Sequence, residues 1–238
     1  MFTFSFNPSY VIKNSIKIFA NVSSGFKAPS LYQVYSEYRP AVGELSPEKS
    51  LSFEGGIQYY KNNVNLRAVY FSRNITDNIV FVNSNNPPYG YYANADKQKD
   101  NGLELEASVD FGKVTLNANY VNLDGKIETK TGTKDTAFFN LYRRPRQTIN
   151  LNVGIELCKN WNMNIGVQSI SKRYEPKYNA APIEMPGYYV WNLYSTYSIT
   201  KNIKAFADLK NITDEKYSEV RGYNSRRFNF MAGVNLSF

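Results

Sequence analysis

The residues best equipped to hold a ligand are three arginines inside four positions, Arg143, Arg144 and Arg146, with Tyr142 before them and Pro145 among them. A guanidinium offers a rigid fork of donors that suits amide and phosphate oxygens. Pro145 removes a ladder donor, so the backbone there is free to bulge. A second group, Tyr32, Tyr35 and Tyr38, recurs every third residue, and such rings can stack on a flat ligand. Each set has a plainer alternative: salt bridges within a loop for the arginines, loop packing for the tyrosines. The carboxylates Glu54, Glu104 and Asp208 read as partners for Lys and Arg across a wall. The chain has no histidine and one cysteine, Cys158. A Ser-His-Asp triad, a Cys/His metal cluster and an internal disulfide are therefore all excluded. Where these residues do chemistry, the expectation is binding rather than catalysis.

The elements that position them repeat with period two. In the last eleven residues, Phe228, Phe230, Ala232, Val234, Leu236 and Phe238 share one parity, against Asn229, Gly233, Asn235 and Ser237 on the other. Alternation over about 9–11 residues is the signature of a tilted strand crossing a bilayer. No apolar run reaches the ~18 residues of a membrane helix, and mean hydropathy is −0.47. A barrel strand puts only alternate residues into lipid, so it looks hydrophilic on average. Aromatics make up 16% of the chain, more than a soluble core of this size uses and suited to two interfacial girdles. The net charge of +8 comes from Lys and Arg scattered over strands and turns, with no nucleic-acid recognition motif.

In chain order the sequence reads as hairpins. Residues 2–10 form a strand ending at Pro8-Ser9, with a turn at Lys13-Asn14-Ser15 and a return through Ile16, Ile18, Ala20 and Val22. A long loop covers 27–47. Tight turns are expected at Lys61-Asn62-Asn63, at 110–113, at 158–161 and at Thr200-Lys-Asn202; loops are expected near Asn85–Pro88, over 125–140, over 175–187 and before the last strand. This gives roughly eleven strands. Every second connection is long, and the long ones fall on one side. Arg67, Glu104, Glu106, Asp208 and Lys210 lie opposite the aliphatic row of their strands, as a wet interior requires, because a charge at the lipid midplane costs ~2–4 kcal/mol. The fold class is all-β, an antiparallel transmembrane β-barrel.

Four motifs then carry a resemblance. Phe26-Lys27-Ala28-Pro29 continues to Tyr35; Pro47-Glu48 is followed by Glu54; Tyr92-Ala-Asn leads to Gly102 and Glu104; and Asn211-Ile-Thr-Asp214 leads to Tyr217. In this order, and with the C-terminal assembly segment Phe228, Phe230, Val234, Leu236 and Phe238, the chain resembles TonB-dependent outer-membrane receptors. Within that family Tyr142-Arg143-Arg144, Gly187 through Trp191, and Tyr217 with Gly222-Tyr223 are most similar to cobalamin receptors.

The resemblance implies energised import across the outer membrane of a Gram-negative cell, with a barrel of about 22 strands filled by an N-terminal plug on which TonB pulls. It implies a transported ligand, cobalamin or a related corrinoid, but no resident cofactor or metal. The implied partners are lipid, lipopolysaccharide, which the arginines would also suit, the barrel assembly machinery, and TonB through the plug. A siderophore or haem receptor and a passive porin-like barrel remain alternatives. No plug, TonB box or signal peptide is recognisable, and the N-terminus reads as mid-strand. Residues 1–238 are thus expected to be the C-terminal half of a longer receptor barrel.

Overall fold

The computed structural model describes residues 2–40, 43–131, 134–138, 142–175, 177 and 182–238. Its elements are β1 (Ser5–Phe6), β2 (Ser9–Ile12), β3 (Ile16–Lys27), helix α1 (Leu31–Tyr35), β4 (Glu48–Lys61), β5 (Val64–Asn83), β6 (Gly90–Asp110), β7 (Val114–Thr131), β8 (Lys134–Phe138), β9 (Gln147–Cys158), β10 (Trp161–Ile170), β11 (Arg173–Glu175), β12 (Ile183–Met185), β13 (Tyr188–Ser198), β14 (Ile203–Lys210) and β15 (Asn229–Leu236). One antiparallel sheet of 13 strands runs β1-β3-β4-β5-β6-β7-β9-β10-β13-β14-β15, with β2 also on β3 and β8 on β7. Taking β1 and β2 as one interrupted strand and leaving β8 above the wall, the described residues supply the eleven expected crossings. The sheet is open at both edges. No helix among the described residues is long and apolar enough to cross a membrane.

Register fixes two faces. Ile18 pairs with Ile57, Ile57 with Ala68, Ala68 with Leu105, Leu105 with Tyr120, Tyr120 with Ile149. Because paired residues point to the same side of a sheet, this row is one continuous apolar band. Its side chains are largely exposed: Ile57 is 49% and Leu105 40% accessible, as expected of a face made for lipid. The other face takes Arg67 opposite Glu106 and Val69 opposite Glu104. The parity read in the sequence holds through β15, where Phe230, Ala232, Val234 and Leu236 pair with the outward row of β14.

Tight turns sit where the sequence puts them. Lys13, Asn14 and Asn62 adopt φ of 48°, 52° and 51°, the left-handed geometry that tight hairpin turns use and that asparagine tolerates. At 110–113, Gly112 has φ 80° and its amide donates to Asp110 Oδ1 at 2.7 Å. Strands also lock by size. Phe19 lies over its cross-strand partner Gly56 so closely that a Cβ there would stand 2.5 Å from Phe19 Cζ and 2.8 Å from the Ala68 carbonyl oxygen. Phe71 covers Gly102, and Phe206 covers Gly233, in the same way.

Four expectations are corrected. The first strand does not end at Pro8: it breaks there, since proline has no donor, and resumes to Ile12, with the Pro8 carbonyl still accepting from Ala20 N at 3.0 Å. The loop over 27–47 contains α1, capped by a reciprocal box in which Ser30 Oγ accepts from Gln33 N and Gln33 Oε1 accepts from Ser30 N. Residues 125–131 continue β7 and 134–138 form β8; the remainder of the expected 125–140 loop lies outside the described residues. Within 175–187, residues 183–185 form β12 on β11, whereas 176 and 178–181 lie outside them. The strand lengths also exceed expectation. β5 and β6 have 20 and 21 residues, against the ~9–11 that cross a bilayer, so this hairpin stands about 30 Å above the wall at ~3.3 Å per residue.

Candidate functional site

The long-loop end of the sheet carries the candidate site, and the β5–β6 tower is its largest part. On its inner side Phe81 and Tyr92 meet edge to face with ring centroids 5.3 Å apart. Tyr38 adds a ring 5.5 Å from Phe81, and Tyr32 one 6.3 Å from Tyr92. Such edge-to-face pairs contribute beyond area burial. The backbone joins in, with Tyr92 N donating to Tyr38 O at 2.7 Å. Two of the three tyrosines expected in the site therefore enter one aromatic cluster; Tyr35, on α1, remains largely exposed. The Glu37 carboxylate, by hydrogen bond and charge, holds the Tyr38 phenol above its ordinary value.

The motif residues build the clasp that holds this cluster. Lys27 Nζ lies 3.3 Å from Glu48 Oε2, while Glu48 Oε1 accepts from Ile79 N at 2.9 Å. Asn94 Nδ2 donates to Ser46 O at 2.8 Å and to Asp77 O at 2.5 Å, and its Oδ1 accepts from Ser46 N at 2.9 Å. Phe26, Ala28, Pro29 and Pro47 thus frame a loop whose start pairs with Glu48 and whose far end is tied to the tower through Ser46 and Asn94. Below it Asp100, 2% exposed, accepts from Arg73 and Gln98. Asp100 was not singled out from the sequence; the polar run Asp-Lys-Gln-Lys-Asp over 96–100 hides which carboxylate turns inward.

The arginines do not converge. Arg143, in the left-handed region at φ 62°, donates from Nε to Glu175 Oε2 at 2.8 Å. Arg146 lies 3.5 Å from Asp124. Arg144 is exposed. Glu175 and Arg173, both 4% exposed, went unnoticed in the sequence, where nothing marks a three-residue strand. Arg173 donates to the carbonyls of Ser218 and Glu219 and lies 5.3 Å over the Tyr188 ring, which stacks 4.2 Å from Tyr217.

The last loop is organised by its motif. Asn211, 1% exposed, donates to Glu215 O at 3.0 Å and Arg226 O at 3.3 Å and accepts from Glu215 N at 2.8 Å. Asp214 takes Arg227 and the Phe228 amide. Along the inner wall Lys210 Nζ lies 3.1 Å from Asp208. Glu54 and Glu104 have no ion-pair partner among the described residues, and Asp208 pairs along its own strand rather than across the wall. Among the described residues no three His, Cys, Asp or Glu side chains converge to hold a metal.

Solved structures share this architecture. The copper transporter OprC superposes with a TM-score of 0.78 at 18% identity over 98% of this chain and 39% of that one. The siderophore receptor PirA from Acinetobacter baumannii gives 0.78 at 18% over 99% and 41%. Pseudomonas aeruginosa FpvA bound to pyoverdines gives 0.81 at 17% over 98% and 32%. The chain spans about two fifths or less of each, and at these identities the likeness is one of fold. Residues 1–212 match the family described as TonB dependent receptor-like, beta-barrel. The chain therefore belongs to the TonB-dependent receptor β-barrels, a family of outer-membrane transport receptors rather than enzymes.

Proposed function

We propose that this chain is the C-terminal part of the barrel of an outer-membrane receptor that binds a scarce nutrient at the cell surface and imports it with energy from TonB. Strands and a plug beyond this sequence complete the ring. Two open edges in lipid would leave about five backbone groups each unpaired, at several kcal/mol apiece. The observation that carries the ligand reading is the cluster of Tyr32, Tyr38, Phe81 and Tyr92 on the inner side of the tower, where a flat, ring-bearing molecule can stack. A siderophore with aromatic rings fits it, in keeping with the siderophore receptors among the structures of like fold.

A corrinoid is the second reading. It rests on the Tyr142-Arg143-Arg144 resemblance and on Arg144 being exposed at the same end; Arg143 is committed to Glu175, which weakens it. Lipid and lipopolysaccharide surround the band, and the terminal strand is what the assembly machinery would take. The test is titration of the purified full-length receptor with an aromatic ferric siderophore and with cyanocobalamin. Saturable binding of the siderophore that Tyr38→Ala weakens by about tenfold supports the first reading. Saturable binding of cyanocobalamin alone replaces it with the second, and binding of neither overturns import.

A further inference from the structure

The inner wall is divided. On β4, β5 and β6 it carries Glu48, Glu54, Arg67, Arg73, Asp100, Glu104 and Glu106, and on β14 Lys204, Asp208 and Lys210. Between them, the described inward residues of β7, β9, β10 and β13 include a single charge, Glu156 at the tight-turn rim. In the half of this sector nearest the tight turns, Glu156 and Cys158 at the rim apart, the polar side chains are amides and hydroxyls. Asn119 pairs with Asn150, and Asn150 with Gln168. They form a belt across three strands: Gln168 Nε2 donates to Asn150 Oδ1 at 3.2 Å, and Asn150 Nδ2 donates to Asn119 Oδ1 at 3.5 Å.

The sector is also recessed. Asn152 lies flat over Gly166, where a Cβ would stand 2.8 Å from its Oδ1, and Thr115 lies over Gly154. Where it meets the charged sector, a concavity of about 250 Å³ is lined by Asn65, Asn117, Asn119, Asn150 and Asn152 and, on the charged side, by the Arg67–Glu106 ion pair.

We propose that this amide sector is the track down which the imported molecule leaves the barrel, a role that rests on the import reading above. Each carboxamide has two N–H donors and two lone pairs, and the belt uses only part of them. What remains faces the lumen as closely spaced neutral donors and acceptors. A path must bind well enough to admit its cargo and weakly enough at each site to release it. Neutral hydrogen bonds meet that condition better than charged ones, which are roughly twice as strong. With no net sign, the track suits a hydrophilic, hydrogen-bonding chelate rather than an anion or cation selected by charge. The charged sectors, by contrast, suit a protein segment that must stay in register.

The test places a near-isosteric charge on the track of the full-length receptor in cells, as Asn150→Asp with Gln168→Glu. Gln58→Glu on the inner face of β4, whose amide donates to Asn65 at 2.9 Å, is the control. Radiolabelled siderophore and cyanocobalamin are the probes, and heat-modifiable mobility of the outer-membrane band reports folding. The expected result is surface binding within about twofold of wild type with uptake slowed about fivefold or more by the track variant, and unchanged uptake for Gln58→Glu. Uptake by the track variant equal to wild type overturns the proposal, as does an equal loss in the Gln58→Glu control. A wild-type receptor that takes up neither probe overturns the import reading, and the track with it.

Discussion

Asp214 Oδ1 accepts hydrogen bonds from Arg227 Nε at 2.7 Å and from the Phe228 amide at 3.0 Å, so one carboxylate closes the last long loop at the point where the terminal strand begins. Those bonds, that from Arg227 foremost, hold the carboxyl below its ordinary value. A group whose folded pKa is depressed stabilises fully above its unfolded value, about 3.9 for Asp, and loses that contribution as pH falls through the lower folded value. Amides of residues 212–227 should therefore exchange faster, after correction for intrinsic rates, below that window than at neutral pH. Asp214→Asn should show fast exchange at both and no pH step.

The lipid row is sensitive to charge in a way its neighbours are not. Leu105 faces lipid at the middle of the apolar band, between Ala68 and Tyr120. Leu105→Lys should destabilise the refolded barrel by ~2–4 kcal/mol, read from urea unfolding in lipid vesicles and from loss of the folded outer-membrane band. Glu104→Gln, one residue away on the inner face, should accumulate as wild type does.

Phe19 and Gly56 make a second point of low tolerance. Gly56→Val has nowhere to put its methyls between the Phe19 ring and the Ala68 carbonyl. Overpacking of this kind costs ~1–3 kcal/mol, and Phe19→Ala in the same chain should recover only the part due to the ring, since the Ala68 carbonyl stays in place. The same urea titration measures both.

Arg143 and Glu175 form a pair in which the carboxylate is 5% exposed and the guanidinium 57%. Removing Arg143 strands a buried charge, but solvent reaches the arginine side, so Arg143→Ala should cost about 1–2 kcal/mol rather than the ~3–5 of a fully buried pair. Faster proteolysis in the β11–β12 hairpin, reversed by adding Glu175→Gln, would register it. Ligand affinity measured on the same variant separates the roles: weakening that Glu175→Gln does not reverse assigns Arg143 to binding as well as to loop structure.

Much of this was legible because lipid imposes a period of two. Ile57, Leu105, Val153 and Phe230 could be placed outward from parity alone, and Lys13-Asn14 or Asp110–Lys113 as turns from residues that accept positive φ. What parity cannot give is height. Nothing in the alternation of Ile79 to Asn83 says that the strand goes on after leaving the membrane, so the tower and its Phe81 were missed. The helix over 31–35 was readable, since Ser30 and Gln33 stand at capping-box spacing. Glu175 and Arg173 were not: their burial comes from Arg143 and from residues 218–219, contacts between segments far apart in sequence. The motif residues Glu48 and Asn211 were found, whereas their work, tying loops to the tower and to the last strand, required the coordinates.

The most direct test of the account is accessibility along β6. In a Cys158→Ser background of the full-length receptor in lipid bilayers, single cysteines at 103 through 109 would be spin-labelled and exposed to oxygen and to a water-soluble nickel chelate. The account predicts oxygen maxima at 103, 105, 107 and 109, set by Leu103, Leu105, Ala107 and Val109, with the relative nickel accessibility higher at 104, 106 and 108. A profile without alternation, or with the opposite phase, would contradict a lipid-facing wall and the receptor built on it.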